Sequence, residues 1–282
     1  LVDKDHEFNR QLNGIYRTRD GRWALPHFGL NHLRDRMLGL LEASPDQLSI
    51  SKAVSKWDAI DLENAIAEMN LCGGMVRTNS EWLAEPHGKV LSEKPVVEIL
   101  KIGPSDPEPI PSGCRPLSGI KVLDLTRILA GPIAARTLAE HGADVLMVTA
   151  ENLPQVHAYV ADTSHGKRSC FVDIKENEGA RKLKDLIIGA DIFSQGYRPG
   201  AMVKLGFGPE ELCEIRPGLI YLSINCYGFD GEFSDRGGWE QVAQIMTGLT
   251  TMEDGSNKMD PPSLLPAAAN DYITGYLGAY GA

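Results

Sequence analysis

The stretch GIKVLDLTRILAGPIAARTLAEHGADVLMVT, Gly119 to Thr149, decides the fold. GIKVLDLT is a near-continuous apolar run, the signature of a strand buried on both faces. PIAARTLAEHG then follows as a helix, and DVLMVT is a second apolar strand. The alternation continues through SCFVDI (strand), NEGARKLKDLIIGA (helix), DIFSQ (strand), PEELCEIRP (helix), LIYLSINCYG (strand) and WEQVAQIMTGLT (helix). Apolar strands alternating with helices predict an α/β fold: a Rossmann-like parallel sheet with helices on both faces and right-handed crossovers. The turn after the first strand reads RILAGP rather than Gly-x-Gly-x-x-Gly, so the dinucleotide fingerprint is missing. Neither a Walker A loop nor a Gly-x-Ser-x-Gly elbow is present.

The first hundred residues follow a different rhythm and predict a smaller α+β segment. IYRTRDGRWALPH, Ile15 to His27, sets two short apolar runs around Asp20-Gly21, a hairpin signal. HLRDRMLGLLE, His32 to Glu42, has helical spacing. Ser51 to Gly74 reads as one or two amphipathic helices stopped by Gly73 and Gly74. Between the two regions, IGPSDPEPIPSGCRP holds five prolines and predicts an extended connector. The expected organisation is therefore a small segment over 1–101, a linker over 102–116 and a larger domain over 117–282.

A net charge of −10 with no basic stripe argues against nucleic acid as a partner. No apolar run is long enough to span a bilayer, and LVDKDHEFNRQ is too polar for a signal peptide, so a cytoplasmic protein is expected. The chain does not begin with Met, which suggests a piece of a longer one. Its five cysteines are scattered without a Cys-x-x-Cys pair, and the histidines lack ligand spacing, so no metal is expected.

The chain ends in PAAANDYITGYLGAYGA. Tyr272, Ile273, Tyr276, Leu277 and Tyr280, mixed with Gly275, Gly278 and Ala279, mark a buried or half-buried helix. Asp271 falls at its first position or its N-cap, where a carboxylate accepts free backbone N–H groups. Local sequence leaves capping and chemistry both open.

Four ordered blocks resemble the class III CoA-transferases, the CaiB/BaiF group that includes formyl-CoA transferase and α-methylacyl-CoA racemase. They are PLSGIKVLDLTRILAGPIAARTLAEHGADVLMV, the run from His165 to Leu212, the run from Arg216 to Leu249, and the terminal stretch. TRDGRWALPH and RTNSEWLAEPHGKVL resemble the C-terminal half of the same family, which gives an unusual order and suggests a fragment of a fused or duplicated member.

The resemblance implies transfer of coenzyme A between an acyl-CoA and a small carboxylic acid, with Asp271 as the nucleophile and aspartyl anhydride and aspartyl-CoA thioester intermediates. It implies CoA near Arg127 and Ala130 in RILAGP and along Gly196, Tyr197 and Arg198 in QGYRPG. Lys167 and Arg168 in HGKRS are further candidates for CoA phosphates, since cations must offset its charge. Against these stand plainer readings: solvated charges for Lys167 and Arg168, and a salt bridge for Arg127. The racemase branch carries Gly-His-Asp where this chain reads Gly238-Trp239-Glu240, so one base for α-proton exchange is missing. Trp239 is either an acyl-pocket wall or core packing. A racemase, isomerase or lyase, and a non-catalytic CoA-binding subunit, are the alternative functions. The resemblance also implies a homodimer with interlocked chains.

Overall fold

The computed structural model describes residues 4–252 and 261–282. In chain order the elements are α1 Lys4–Leu12, β1 Tyr16–Arg17, β2 Trp23–Pro26, α2 Asn31–Leu41, α3 Gln47–Val54, α4 Ala59–Glu68, β3 Gly73–Met75, α5 Asn79–Ala84 and α6 Pro86–Ser92. After a segment without helix or strand come β4 Lys121–Asp124, α7 Ala130–Glu140, β5 Asp144–Thr149, α8 His157–Thr163, β6 Lys167–Phe171, α9 Asn177–Ile187 and β7 Ile192–Gln195. The chain continues through α10 Ala201–Lys204, α11 Pro209–Ile215, β8 Ile220–Ser223, α12 Glu240–Thr247 and α13 Ala269–Gly281.

These elements form two compact units. One holds residues 1–94 and 226–270; the other holds residues 95–225 and 271–282. The linear partition at 101 and 116 gives no sign that the chain crosses between units again at 225/226 and 270/271. Cys226–Asn270 joins the first unit through α12: the Arg77 amide donates to the Ile245 carbonyl (2.9 Å), and the Asn79 side chain donates to the Thr247 carbonyl (3.2 Å).

The first unit is α+β. The Asp20-Gly21 hairpin forms, with Tyr16 opposite Ala24 and Arg17 opposite Trp23. Gly73 and Gly74 do not stop a helix as expected. They begin β3, which pairs antiparallel with β2, and α4 has already ended at Glu68. The reason is close approach: a Cβ on Gly73 would stand 2.5 Å from the Leu25 carbonyl oxygen.

Beneath this sheet lies a buried ion cluster. Arg77 binds both carboxylate oxygens of Glu63 at 2.6 and 2.8 Å, and both side chains are 1% exposed. Arg236 donates to Glu63 at 2.9 Å, and the Met75 amide donates at 2.8 Å. Burial by itself would raise the Glu63 carboxyl; the Arg77 guanidinium outweighs it and holds the group below the usual carboxylate range.

The second unit is the α/β domain. Its strands run parallel in the order β6-β5-β4-β7-β8. Leu123, Phe193, Leu183, Phe207 and Leu212 fill one face, while Val122, Ile192 and Val145 pack with Ala135 and Leu138 on the other. Both faces are apolar, which is why the strands read as continuous runs. At the amino-terminal edge a cavity of about 440 Å³ lies against residues 105–111, and Glu108 there is clasped by Arg216 at 2.5 and 2.7 Å.

His27 gives the first unit an acid sensitivity. Its Nε2 pairs with Gln241 Oε1 (3.1 Å), its Nδ1 accepts the Gly29 amide (3.2 Å), and burial lowers its pKa from 6.5 to about 4. Above pH 6.5 the ring is neutral whether folded or unfolded. Between pH 6.5 and 4 only the unfolded chain takes the proton, so stability falls by up to about 3 kcal/mol and the loss then levels off. Urea denaturation of wild type and His27→Gln from pH 7.5 to 4 is expected to show this extra acid loss in wild type alone.

Candidate active site

The strand order fixes where a ligand can sit. From β4 the chain builds β5 and β6 to one side, then returns to place β7 on the other. The order reverses between β4 and β7, and in open α/β sheets the crevice beyond the carboxyl ends of such strands is the ligand site. Two turns leave there: residues 125–129 into α7 and residues 196–200 into α10.

The first turn is built around Asp124. Its buried carboxylate accepts the Thr126 amide (3.0 Å) and the Thr126 hydroxyl. Gly131 is required opposite: a Cβ there would fall 2.3 Å from the Thr126 Cβ. Ile128 adopts φ +73°, a region costly for a β-branched residue, at about 1–3 kcal/mol. The first backbone N–H groups of α7, like those of any helix, have no intrahelical partner, and Leu129 at the N-cap makes no side-chain hydrogen bond to them.

The second turn is shaped by Gln195, which donates to Ser223 Oγ (2.7 Å) and accepts the Tyr197 amide (2.7 Å). Gly196 lies alongside the first turn: a Cβ on it would stand 3.9 Å from the Thr126 methyl, an ordinary contact that leaves room for a side chain.

Arg127 and Tyr197 face one another across this junction. Burial lowers the Arg127 pKa, and the neighbouring Tyr197 acts in the opposite sense. Burial likewise raises the Tyr197 pKa, with Arg127 opposing. Arg127 donates to the Pro154 carbonyl. It makes no ion pair with a carboxylate among the described residues. Ala130, the first residue of α7, and Arg198, half-buried in the second turn, complete this group.

The two HGKRS cations lie elsewhere. Lys167, expected at a phosphate, has a side chain 1% exposed; its Nζ donates to Asp124 Oδ2 (2.8 Å) and to the Pro132 carbonyl (2.9 Å). It clamps the first turn from beneath. Arg168 is exposed and holds both oxygens of Asp144 at 2.6 Å. Asp144 opens β5, so this pair lies toward the amino-terminal end of the sheet, away from the turns. Lys167 thus reaches the turn's framework, and Arg168 does not join it.

Asp271 is the third residue of α13, within its first turn and not its N-cap. The helix dipole favours a carboxylate there. Asp271, Gly275 and Gly278 fall on one stripe at i, i+4 and i+7. Gly275 is pressed on α7: a Cβ would meet Ile133 Cβ at 2.6 Å and the Ala130 carbonyl at 2.7 Å. A Cβ on Gly278 would meet Ile224 at 2.9 Å and Ala134 at 3.4 Å. The two helices therefore advance together. Asp271, one turn before Gly275, lies at the end of the stripe nearest the start of α7.

In the sequence Glu240 stands out only as a departure from the racemase pattern. It is buried in the first unit and accepts from Gln244 (2.7 Å) and from Asn270 (3.1 Å), the residue before Asp271. An acidic residue at the start of a helix looks like ordinary dipole complementation, so its burial had no local signal. A histidine does stack on Trp239 (ring centroids 4.6 Å apart), but it is His27, whose two nitrogens are both engaged. No group of three or more His, Cys, Asp or Glu able to hold a metal occurs among the described residues. No described helix is long and apolar enough to cross a membrane.

The family model described as CoA-transferase family III matches residues 117–282. The acetyl-coenzyme A transferase nodX of Hypoxylon pulicicidum is 33% identical over 291 residues, covering 95% of this chain and 49% of that protein. The human succinyl-CoA:glutarate CoA-transferase is 37% identical over 180 residues, covering 60% of this chain and 40% of that protein. Among solved structures, a CaiB/BaiF family protein from Brucella suis superposes with a TM-score of 0.54 at 31% identity, covering 59% of this chain and 47% of that one. The chain spans about half the length, or less, of these relatives.

The contrast between the two HGKRS cations is measurable. Lys167→Met leaves Asp124 buried without its counter-ion and is expected to cost about 3–5 kcal/mol. Arg168→Ala breaks an exposed pair and is expected to stay within about 1 kcal/mol of wild type. Chemical denaturation of both variants checks the difference.

Proposed function

The chain belongs to CoA-transferase family III, and from that premise we propose that it transfers coenzyme A between an acyl-CoA and a carboxylic acid. The observation that carries the proposal is the setting of Asp271: in the first turn of a helix, one turn before Gly275, which packs on the start of α7, the helix that leaves the strand-order reversal.

In this reading the Asp271 carboxylate attacks the thioester carbonyl, the C–S bond breaks, and CoA leaves as the thiolate. The thiolate attacks the aspartyl carbonyl of the mixed anhydride and releases the donor acid. The acceptor carboxylate then attacks the aspartyl-CoA thioester and expels the thiolate again. Attack of that thiolate on the acceptor's acyl carbon gives the new acyl-CoA and restores Asp271. Acyl bonds of similar energy are exchanged, so no ATP is consumed. A carboxylate is ionised at neutral pH but a weak nucleophile, so positioning and exclusion of water carry the rate.

CoA is proposed to lie along Ala130 and the 196–198 turn, with Tyr197 against the adenosine and Arg127 and Arg198 toward phosphate. Lys167 contributes by holding the turn; Arg168 would have to leave Asp144 to take part. A homodimer, interlocked as the resemblance implies, belongs to the same proposal.

Intact mass after incubation of the full-length protein with several acyl-CoAs tests it. An adduct of CoA or acyl size on wild type, mapped to the Asp271 peptide and absent from Asp271→Asn, is expected. Folded, CoA-binding protein that acquires no adduct, or an adduct retained by Asp271→Asn, would overturn the proposed chemistry.

A further inference from the structure

We propose that Tyr272 is a positioning residue for Asp271, holding the first turn of α13 through a Tyr272–Asp162–Arg136 chain. The inference rests on Asp271 being the nucleophile.

Helix ends fray, because their first N–H groups lack intrahelical partners. Asp271 is in that first turn, so its carboxylate moves with any fraying. Gly275 and Gly278 press α13 on α7, but they act one and two turns further along. Tyr272 adds a hold within the first turn itself, next to the hydrogen bond that Asn270 makes with Glu240. Its hydroxyl donates to Asp162 Oδ2 at 3.1 Å, near the end of α8. The same oxygen accepts from Arg136 Nη1 at 3.1 Å, and Arg136, 14% exposed, springs from α7 and also pairs with Glu140 at 3.3 Å. One carboxylate thus joins the helix that carries the nucleophile to the helix whose start forms the proposed CoA turn. Burial and the Asp162 carboxylate both push the Tyr272 pKa up, which keeps the phenol a donor.

Adjacent helical residues differ by about 100° around the axis. Tyr272 can therefore reach α8 while Asp271 stays on the α7 stripe. The tether fixes rotation as well as fraying. Losing it should slow the covalent step and leave the grip on CoA intact. A misplacement of about 1 Å at a reacting group can cost about 100-fold in rate. A half-exposed tether of this kind is expected to be worth about tenfold.

The test uses the full-length protein and follows the rate of covalent labelling at Asp271 by an acyl-CoA, alongside equilibrium binding of free CoA. Wild type, Tyr272→Phe, Asp162→Asn, the double variant and Asp271→Asn are compared. Labelling about tenfold slower in each single variant is expected, with CoA affinity within about twofold and the double variant no slower than the slower single one. A purely structural role would lower labelling and CoA affinity together. Tyr272→Phe labelled as fast as wild type, a loss confined to CoA affinity, or single-variant effects that multiply in the double variant would each overturn the proposal. Wild type left unlabelled, like Asp271→Asn, would overturn the nucleophile reading, and the positioning role with it.

Discussion

The contact between Lys167 and Asp124 organises the α/β unit. Two buried ions at 2.8 Å are costly to desolvate and are tolerated only when their remaining hydrogen-bonding capacity is filled. Here Asp124 also accepts the Thr126 amide and hydroxyl, and Lys167 also donates to the Pro132 carbonyl. The pair therefore fixes four things together: the end of β4, the start of β6, the turn after β4 and the first turn of α7. The strained Ile128 lies inside the frame so defined. Backbone strain persists where surrounding contacts over-determine it, and Asp124 on one side with Gly131 packed on Thr126 on the other provide that constraint.

Much of this was legible because both sheet faces are buried. Continuous apolar runs such as GIKVLDLT and DVLMVT, alternating with helices, fit a parallel sheet covered on both faces, and β4 and β5 form where those runs lie. Lys167 shows where legibility ends. A Lys-Arg pair before a strand looks like two solvated charges or a phosphate grip. Whether the ammonium points outward depends on what lies across the sheet. Val145 of β5 is opposite Lys167, and the long stem crosses β5 to reach Asp124 on the next strand. No window of local sequence contains that relation.

Gly73, Gly74 and Asp271 make the same point at shorter range. Two glycines after an amphipathic helix fit a C-terminal stop, yet here they allow a third strand to approach Leu25. Asp271 fits an N-cap, yet the helix begins two residues earlier, at Ala269. In each case the residue type has a commonest local use, and tertiary proximity selects another. The passage of residues 226–270 into the first unit has no compositional mark where it begins, because the chain crosses at 225/226 inside the apolar run LIYLSINCYG.

Charge sets a further constraint on the proposed reading. CoA is a polyanion and the chain carries a net charge of −10. Most candidate cations of the α/β unit are already matched: Lys167 by Asp124, Arg168 by Asp144, Arg136 by Asp162 and Glu140, and Arg216 by Glu108 and Asp191. Arg127 is different. Its charge is disfavoured by burial, and its neighbours are a phenol and a carbonyl. An arriving phosphate would displace no carboxylate there and would relieve the desolvated charge, and charge-assisted bonds gain most where water is scarce. Within the proposed reading, recognition of a polyanion by an acidic protein depends less on how many cations line the crevice than on Arg127, which pairs with no carboxylate among the described residues, standing where the strand order reverses.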